Sequence, residues 1–199
     1  MKKQNTLTSS AWTKLITEYG DFKVKAYRDT EGKEHFVAVK GDVSGKEKVP
    51  LRIHSECLTG DVFHCLSCDC RNQFQAALKQ ISMRGGVLIY LRQEGRGIGL
   101  VNKMNAYALQ REGKDTVEAN IDLGFKSDER AYEIAAQIIK ELNIKSVSIL
   151  TNNPAKIEGL EGEGVLVSDR IPLQTKSNTY NRDYLSIKKR KLNHQFKDD

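Results

Sequence analysis

The sequence has little proline, few aromatic residues and no long apolar run, and each shortage excludes a class of protein. Three prolines in 199 residues are too few for a proline-rich linker, and the 7% of aromatic residues show no RNA-binding motif of interleaved basic and aromatic positions. No apolar run approaches the roughly 20 residues that span a bilayer. The polar start of the chain also lacks the apolar stretch of a signal peptide. We therefore expect a cytoplasmic protein without a membrane partner, and we disfavour nucleic acid as a partner.

The chain does carry an excess of positive charge. Its net charge of +6 suits partners that bear phosphate, which include nucleotides, nucleic acids and anionic membranes. Part of the excess lies in the basic run at residues 188–191. Such a run is typical of a solvated helix face or a frayed tail, so the net charge need not describe a binding site.

Cysteine is absent except in one short segment. Cys57, Cys65, Cys68 and Cys70 are the four cysteines of the chain, and clustering of this kind in a cytosolic protein indicates a metal before a disulfide. Three thiolates would hold Zn²⁺ and leave one position open, as in catalytic sites, whereas four would close a structural site. The third alternative is a set of small buried side chains without metal. Spacing does not decide which three thiols bind, and His64 is a further candidate ligand.

The hydrophobic pattern predicts an α/β fold: one compact domain with a mixed β-sheet, an N-terminal antiparallel part and flanking helices. Residues 1–17 are predicted to be a flexible arm, 18–194 the domain and 195–199 a tail. Strands are predicted at 21–27, 35–40, 49–53, 87–91, 147–150 and 164–168. Helices are predicted at 73–83, 100–109, 128–142, where Ser127 can be the N-cap, and 181–192.

Two polar segments follow predicted strands, at the sheet edge where α/β proteins bind ligands. Residues 92–100 hold three glycines and two arginines, which suit a backbone that approaches phosphate and side chains that grip it. Residues 151–156 contain Pro154, which can begin a helix, and Lys156, which could reach a phosphate or a purine carbonyl. The structural alternatives are an ordinary glycine turn and a solvated lysine.

Long motifs in one order resemble the GTP cyclohydrolase II family of riboflavin biosynthesis. The resemblance covers roughly residues 18 to 194 and is carried by residues 52–61, 68–70, 93–100, 105–110, 115–120, 123–125, 128–130, 150–154 and 156. It implies that GTP is converted to a diaminopyrimidine ribosyl phosphate, formate and pyrophosphate. It also implies one Zn²⁺ per chain, Mg²⁺ with the triphosphate and a homodimer. We do not expect the dihydroxybutanone phosphate synthase half of bifunctional relatives in a chain of 199 residues.

The resemblance also implies roles for individual residues. Asp128 would be the general base, Arg130 the nucleophile toward the α-phosphate, and Tyr107 the residue beside the opening ring. The metal ligands would be Cys57, Cys68 and Cys70. The GTP-binding residues would be Arg52, Ile53, His54, Ser55, Glu56, Gln73, Glu94, Gly95, Arg96, Thr116, Thr151 and Lys156.

Arg130 has an alternative role. The pKa of a guanidinium is above about 12, so the group stays protonated at neutral pH and is a poor nucleophile. Arg130 could instead be a clamp that stabilises charge on the departing pyrophosphate.

The cysteine segment departs from the family pattern at three positions. Cys65 stands where serine is usual, Ser67 where arginine or lysine is usual, and Arg71 where glycine is usual. Either Arg71 restores the missing charge and the full reaction is kept, or the chain is a paralogue that stalls at a formyl intermediate or takes a related purine. Two alternatives from other classes are a non-catalytic module that binds zinc and GTP or RNA, and a structural zinc protein. Neither explains the three catalytic candidates.

Overall fold

The computed structural model describes residues 7–173 and 175–191. Its strands are β1 (Thr8–Ser9), β2 (Thr13–Thr17), β3 (Gly20–Arg28), β4 (Glu34–Lys40), β5 (Val49–Ser55), β6 (Gly86–Leu91), β7 (Val147–Leu150) and β8 (Val167–Ile171). Its helices are α1 (Leu58–Asp61), α2 (Cys70–Arg84), α3 (Gly99–Arg111), α4 (Thr116–Asp122), α5 (Glu133–Glu141), α6 (Pro154–Gly162) and α7 (Arg182–Lys191), with a 3₁₀ turn at Glu94–Gly97. None of these helices is long and apolar enough to cross a bilayer.

The strands form one mixed sheet in the order β1-β3-β4-β6-β5-β7-β8, with β2 also paired to β3. Pairing is antiparallel from β1 through β4 and between β4 and β6. It is parallel between β5 and β6, β5 and β7, and β7 and β8. The predicted fold class is therefore confirmed, with the antiparallel part contributed by the N-terminal half.

Alternation along the strands builds a hydrophobic core on each face of the sheet. Val37 and Val39 pack with α5 on one face, whereas Ala38 packs with α2 on the other. In β5, Leu51 and Ile53 lie in the α5 core and are fully buried. Because successive side chains of a strand point to opposite faces, residues 52 and 54 point to the opposite side.

The prediction of a flexible arm over residues 1–17 is wrong for two segments. Thr8–Ser9 and Thr13–Thr17 both pair antiparallel with β3, because an edge strand leaves backbone groups that an extended segment can satisfy. Trp12, between them, packs against the α5 core. Residues 1–6 of the arm, the predicted tail at 195–199 and the predicted helix end at Leu192 lie outside the described residues.

The helix predicted over 128–142 begins only at Glu133, after the N-cap residue Tyr132. Ser127 is therefore not its cap. The Asp128 carboxylate accepts from the backbone N–H of Arg130, at 3.1 Å, and such local bonds compete with helix formation. This contact keeps Asp128 and Arg130 in a loop.

Two other predictions were incomplete. The last strand lies at Val167–Ile171 rather than at 164–168. Helix α4 was missed, although Asp115 and Glu118 form a capping box at its start, which is a recognisable sequence signal.

Candidate active site

A cavity of about 880 Å³ lies where the chain leaves β5, β6 and β7. A volume of this size is typical of a small-molecule site. Its walls are completed by α3, α4 and α7. All predicted site residues line it except Ile53 and Asp128.

The two exceptions still touch the site through a neighbour. The Ile53 side chain belongs to the hydrophobic core, but its carbonyl oxygen accepts a hydrogen bond of 2.8 Å from Lys156 Nζ. Asp128 forms an ion pair with Arg130, which does line the cavity. Sequence alone does not separate a side-chain contact of Ile53 from a backbone one.

Three thiols meet at one end of the cavity. The Sγ atoms of Cys57, Cys68 and Cys70 all lie within 4.8 Å of one another, whereas Cys65 is outside this group. Gly60 leaves room for them, because a Cβ there would lie 2.8 Å from Cys68 Sγ and 3.2 Å from Cys57 Sγ. These are the three cysteines that the family resemblance predicts.

The three thiols affect one another's ionisation. Hydrogen bonds from Cys68 and Cys70 hold the pKa of Cys57 below its usual value. Donating to Cys57 in turn raises the pKa of Cys68 to about 12 and the pKa of Cys70 well above its usual value. The first thiolate thus opposes ionisation of the others, and a divalent cation bound by all three sulfurs would remove that opposition.

Lys103 is a buried residue of the site that sequence reasoning missed. Its Nζ donates to Glu94 Oε1 at 2.8 Å, to Thr59 Oγ1 at 2.9 Å and to Cys57 Sγ at 3.3 Å. Burial alone would lower the pKa of Lys103, but the neighbouring Cys57 thiolate and Glu94 raise it above its usual value. The lysine therefore stays charged beside the thiols.

The carboxylate of Glu94 is already occupied by protein donors. Oε1 also accepts from the Gly95 backbone N–H at 2.8 Å, and Oε2 accepts from the Leu58 N–H at 2.6 Å. Glu94 therefore shapes the loop after β6. Gly95 and Arg96 in this loop both have left-handed backbone angles, with φ of 61° and 62°. Such strain at a non-glycine residue is often found at binding sites.

Cationic side chains surround another part of the cavity. Lys156 is 5% exposed, and burial, then Arg52 and Arg130, lowers its pKa well below the usual value. The buried Arg52 Nε and Arg96 Nη2 have no hydrogen-bond partner in the described part of the chain. A bound anion would satisfy these donors and offset the repulsion. Lys156 is therefore not the solvated lysine of the structural alternative.

Arg130 and Asp128 form a forked ion pair. Arg130 Nε donates to both carboxylate oxygens, at 2.8 and 3.0 Å, and Nη2 donates to Oδ2 as well. Asp128 thereby raises the pKa of Arg130 despite its burial. Burial would raise the pKa of Asp128, but the Arg130 bonds hold it below its usual value. The Arg130 guanidinium therefore stays charged, and one of its edges is hydrogen-bonded to Asp128.

His54 and Tyr107 differ in their hydrogen-bond partners and in their pKa values. His54 Nε2 lies 3.1 Å from both oxygens of Asp61, so the protein holds the imidazole ring in place. Burial lowers the pKa of His54. Burial raises the pKa of Tyr107 to about 12. Its hydroxyl lies 3.3 Å from Thr59 Oγ1 and remains a proton donor at neutral pH.

The three unusual residues of the cysteine segment differ in whether they line the cavity. Cys65 and Ser67 line the cavity, and Arg71 does not. Arg71 Nη1 instead donates to the Asp61 carbonyl oxygen at 3.4 Å. The geometry therefore does not place the Arg71 charge inside the cavity.

Comparison with known proteins identifies the family of the chain. Residues 8–172 match the family model of GTP cyclohydrolase II. Over 195 residues the chain is 51% identical to GTP cyclohydrolase-2 of Aeromonas hydrophila, covering 97% of this chain and 99% of that protein. Over 183 residues it is 54% identical to GTP cyclohydrolase-2 of Actinobacillus succinogenes, covering 90% and 84%.

One further relative and one solved structure are longer than this chain. It is 55% identical over 183 residues, 90% of its length, to the riboflavin biosynthesis protein RibBA of Bacillus subtilis, of which it spans 46%. A solved structure of RibBX, a two-domain 3,4-dihydroxy-2-butanone 4-phosphate synthase from A. baumannii, aligns with a TM-score of 0.48 and 18% identity over 88% of this chain and 42% of that one. The match to the family model and the relatives of similar length place the chain in the GTP cyclohydrolase II family.

Proposed function

We propose that this chain catalyses the reaction for which its family is named. GTP would be hydrolysed to a diaminopyrimidine ribosyl phosphate, formate and pyrophosphate. The observation that supports this most is the juxtaposition in one cavity of three converging thiols, the half-buried Tyr107 and a set of buried cations. The balanced reaction takes up three water molecules: two add at C8 of the purine and free its two ring nitrogens, and one cleaves the bond between the α- and β-phosphates.

We propose Zn²⁺ as the ion held by Cys57, Cys68 and Cys70, because three thiolates suit zinc better than a hard cation. When bound, it would supply the Lewis acidity that makes water a nucleophile near pH 7. Mg²⁺ is proposed to bind oxygens of the triphosphate, as is usual for this ion.

The buried cations are proposed to hold the phosphates. Arg52 and Arg96 would bind phosphate oxygens through Nε and Nη2, which have no partner in the described part of the chain, and Lys156 would add a third donor beside them. Gln73 can pair with the hydrogen-bonding edge of guanine. Glu94 would act through the loop that it shapes, since both of its oxygens accept from the protein.

The remaining proposed GTP contacts come from the ends of strands and helices that border the cavity. These residues are His54, Ser55, Glu56, Gly95, Thr116 and Thr151.

Tyr107 is proposed to donate a proton to a ring nitrogen as the imidazole opens. Its pKa of about 12 keeps the hydroxyl protonated across the physiological range, as a general acid requires. Breaking the bond between C8 and a ring nitrogen needs such a proton, because a neutral amine is a better leaving group than the deprotonated nitrogen.

Arg130 is proposed to be a clamp rather than a nucleophile. Attack by the guanidinium would need its proton removed, and Asp128 instead raises the pKa of Arg130. A charged fork beside the phosphates stabilises the charge that develops on the departing pyrophosphate. The role of general base that the resemblance assigns to Asp128 stays a prediction, since its pKa is held low. Cytoplasmic location and a homodimer also stay predictions.

Product analysis tests the proposed function. Purified zinc-loaded protein is incubated with GTP and Mg²⁺, the nucleotide products are identified by mass spectrometry, and formate and pyrophosphate are assayed in parallel. We expect the diaminopyrimidine with one formate and one pyrophosphate per GTP. A formylated product, GMP alone or unchanged GTP would contradict the proposal and favour a paralogue with another reaction.

Cys65 and Cys68 allow a matched test of the metal site. Cys65→Ser should keep one zinc per chain and turnover within about twofold, because Cys65 lies outside the thiol group. Cys68→Ser should lower zinc affinity by at least about 100-fold, since loss of a direct ligand exceeds the effect of an outer-shell change. Zinc is measured by plasma mass spectrometry after dialysis. Loss of zinc from Cys65→Ser would show that the proposed ligand set is wrong.

A further inference from the structure

The C-terminal helix α7 forms a wall of the cavity. Tyr184, Ile187 and Lys188 line the cavity from this helix. The Lys188 side chain is only 10% exposed, although it begins the basic run that the sequence predicts to be solvated. The segment before α7 also reaches the cysteine segment, where Asn178 Nδ2 donates to the Leu66 carbonyl oxygen at 3.2 Å. A charge buried to this extent needs an anionic partner.

The partner of Lys188 is Asp69, which lies in sequence between two of the proposed metal ligands. Lys188 Nζ is 2.7 Å from Asp69 Oδ1, and the Asp69 side chain is 1% exposed. The ammonium also lies 4.5 Å from the centroid of the Tyr184 ring, a favourable cation–π distance. A buried charge-assisted hydrogen bond thus joins α7 to the cysteine segment.

From Asp69 the hydrogen bonds continue toward the proposed nucleotide contacts. Asp69 Oδ2 accepts from Gln73 Nε2, and Gln73 Oε1 accepts from Arg52 Nη2 at 2.8 Å. Arg52 Nη1 donates in turn to the Leu150 carbonyl oxygen at 2.9 Å. Because a carboxylate requires an N–H and a guanidinium requires an oxygen, Asp69 and Arg52 together fix which way the Gln73 amide faces.

We propose that Lys188 is a positioning residue for nucleotide binding. Through Asp69 it holds the Gln73 amide and the Arg52 guanidinium in the orientation that receives the guanine nucleotide. This inference rests on the proposed function for the identity of the ligand. Without Lys188, the buried Asp69 carboxylate loses a cationic partner and competes more strongly for the Gln73 Nε2 donor, which shifts the amide that holds Arg52.

The expected result is a loss of affinity rather than of chemistry. Lys188→Met should weaken GTP binding about 10–100-fold, the range known for outer-shell residues that orient metal ligands. The KM for GTP should rise by the same factor while kcat changes less than about threefold, because Gln73 and Arg52 are proposed to bind the ground state and the transition state alike. Binding is measured by calorimetry with Mg²⁺ withheld, and KM and kcat by formate release.

Three further variants show whether the effect runs through the ion pair. Lys188→Gln keeps a donor without the charge and should fall between wild type and Lys188→Met; it also carries the test if the methionine variant does not fold. Arg190→Ala removes an exposed charge from the same helix and should bind GTP as wild type does. In a Gln73→Ala background, Lys188→Met should change GTP affinity less than about twofold, because the connection passes through Gln73.

The outcomes separate this inference from the proposed function. Equal GTP affinity of wild type and the Lys188 variants, or a full further loss in the Gln73→Ala background, would overturn the positioning role. Wild-type protein that binds GTP but releases no formate would contradict the proposed reaction, and the affinities would still decide the role of Lys188. Wild-type protein that binds no guanine nucleotide would overturn both.

Discussion

Replacing Arg130 with alanine is expected to lower kcat for GTP by about 100–1,000-fold, the usual effect of removing one donor that stabilises transition-state charge. Its guanidinium lines the cavity and is aligned by the fork to Asp128. Arg130→Lys keeps a positive charge but loses the planar fork, so its kcat should fall between those of wild type and alanine. Formate and pyrophosphate release are followed in rapid-quench experiments.

The same variants distinguish a clamp from a nucleophile. A clamp forms no bond to the nucleotide, so intact-protein mass spectrometry during a single turnover should find no phosphoguanylated chain. A nucleophilic Arg130 would give that adduct in wild type and no pyrophosphate release at all in Arg130→Ala, which has no group to attack the phosphate. An adduct on the peptide that contains Arg130, or an alanine variant within about threefold of wild type, would contradict the clamp.

Replacing Lys103 with methionine is expected to lower the free energy of unfolding by about 3–5 kcal/mol, the usual cost of leaving one member of a buried ion pair alone. The side chains of Lys103 and Glu94 are 8% and 7% exposed, so water does not compensate the carboxylate that remains. Urea unfolding of the zinc-free, reduced protein measures the effect without a contribution from metal binding. The same loss should appear as a lower urea midpoint.

Two controls identify the cause of that loss. Lys79→Met removes an exposed lysine from α2 and should change stability by less than about 0.5 kcal/mol. The double variant Lys103→Met/Glu94→Gln should recover part of the loss, since it removes both charges. A Lys103→Met variant as stable as Lys79→Met would contradict the buried-pair account.

Much of the site follows from local pattern in the sequence. Alternation along β5 separates the core residues Leu51 and Ile53 from Arg52 and His54, which line the cavity. The polar residues after β6 and β7 meet at one edge because parallel strands end there together. Pro154 begins α6 as predicted, with Asn153 as its N-cap.

Local pattern did not reveal the buried ion pairs. Lys103 lies on a helix whose sequence gives no reason to bury a lysine, and its partner Glu94 comes from the preceding loop. Lys188 belongs to a basic run, and its partner Asp69 is 119 positions away. Only tertiary packing brings such charges together, so a sequence pattern predicts the exposed alternative for both.

The fate of carbon 8 of GTP tests the central claim most directly. GTP labelled with ¹³C at C8 is followed by NMR with the zinc-loaded protein and with Cys68→Ser after dialysis. The proposed function predicts that the label appears as free formate with the wild-type protein and stays in the purine with the variant. A label retained in an intact purine or a formylated product with wild type, or formate formed at the wild-type rate by the zinc-free variant, would contradict it.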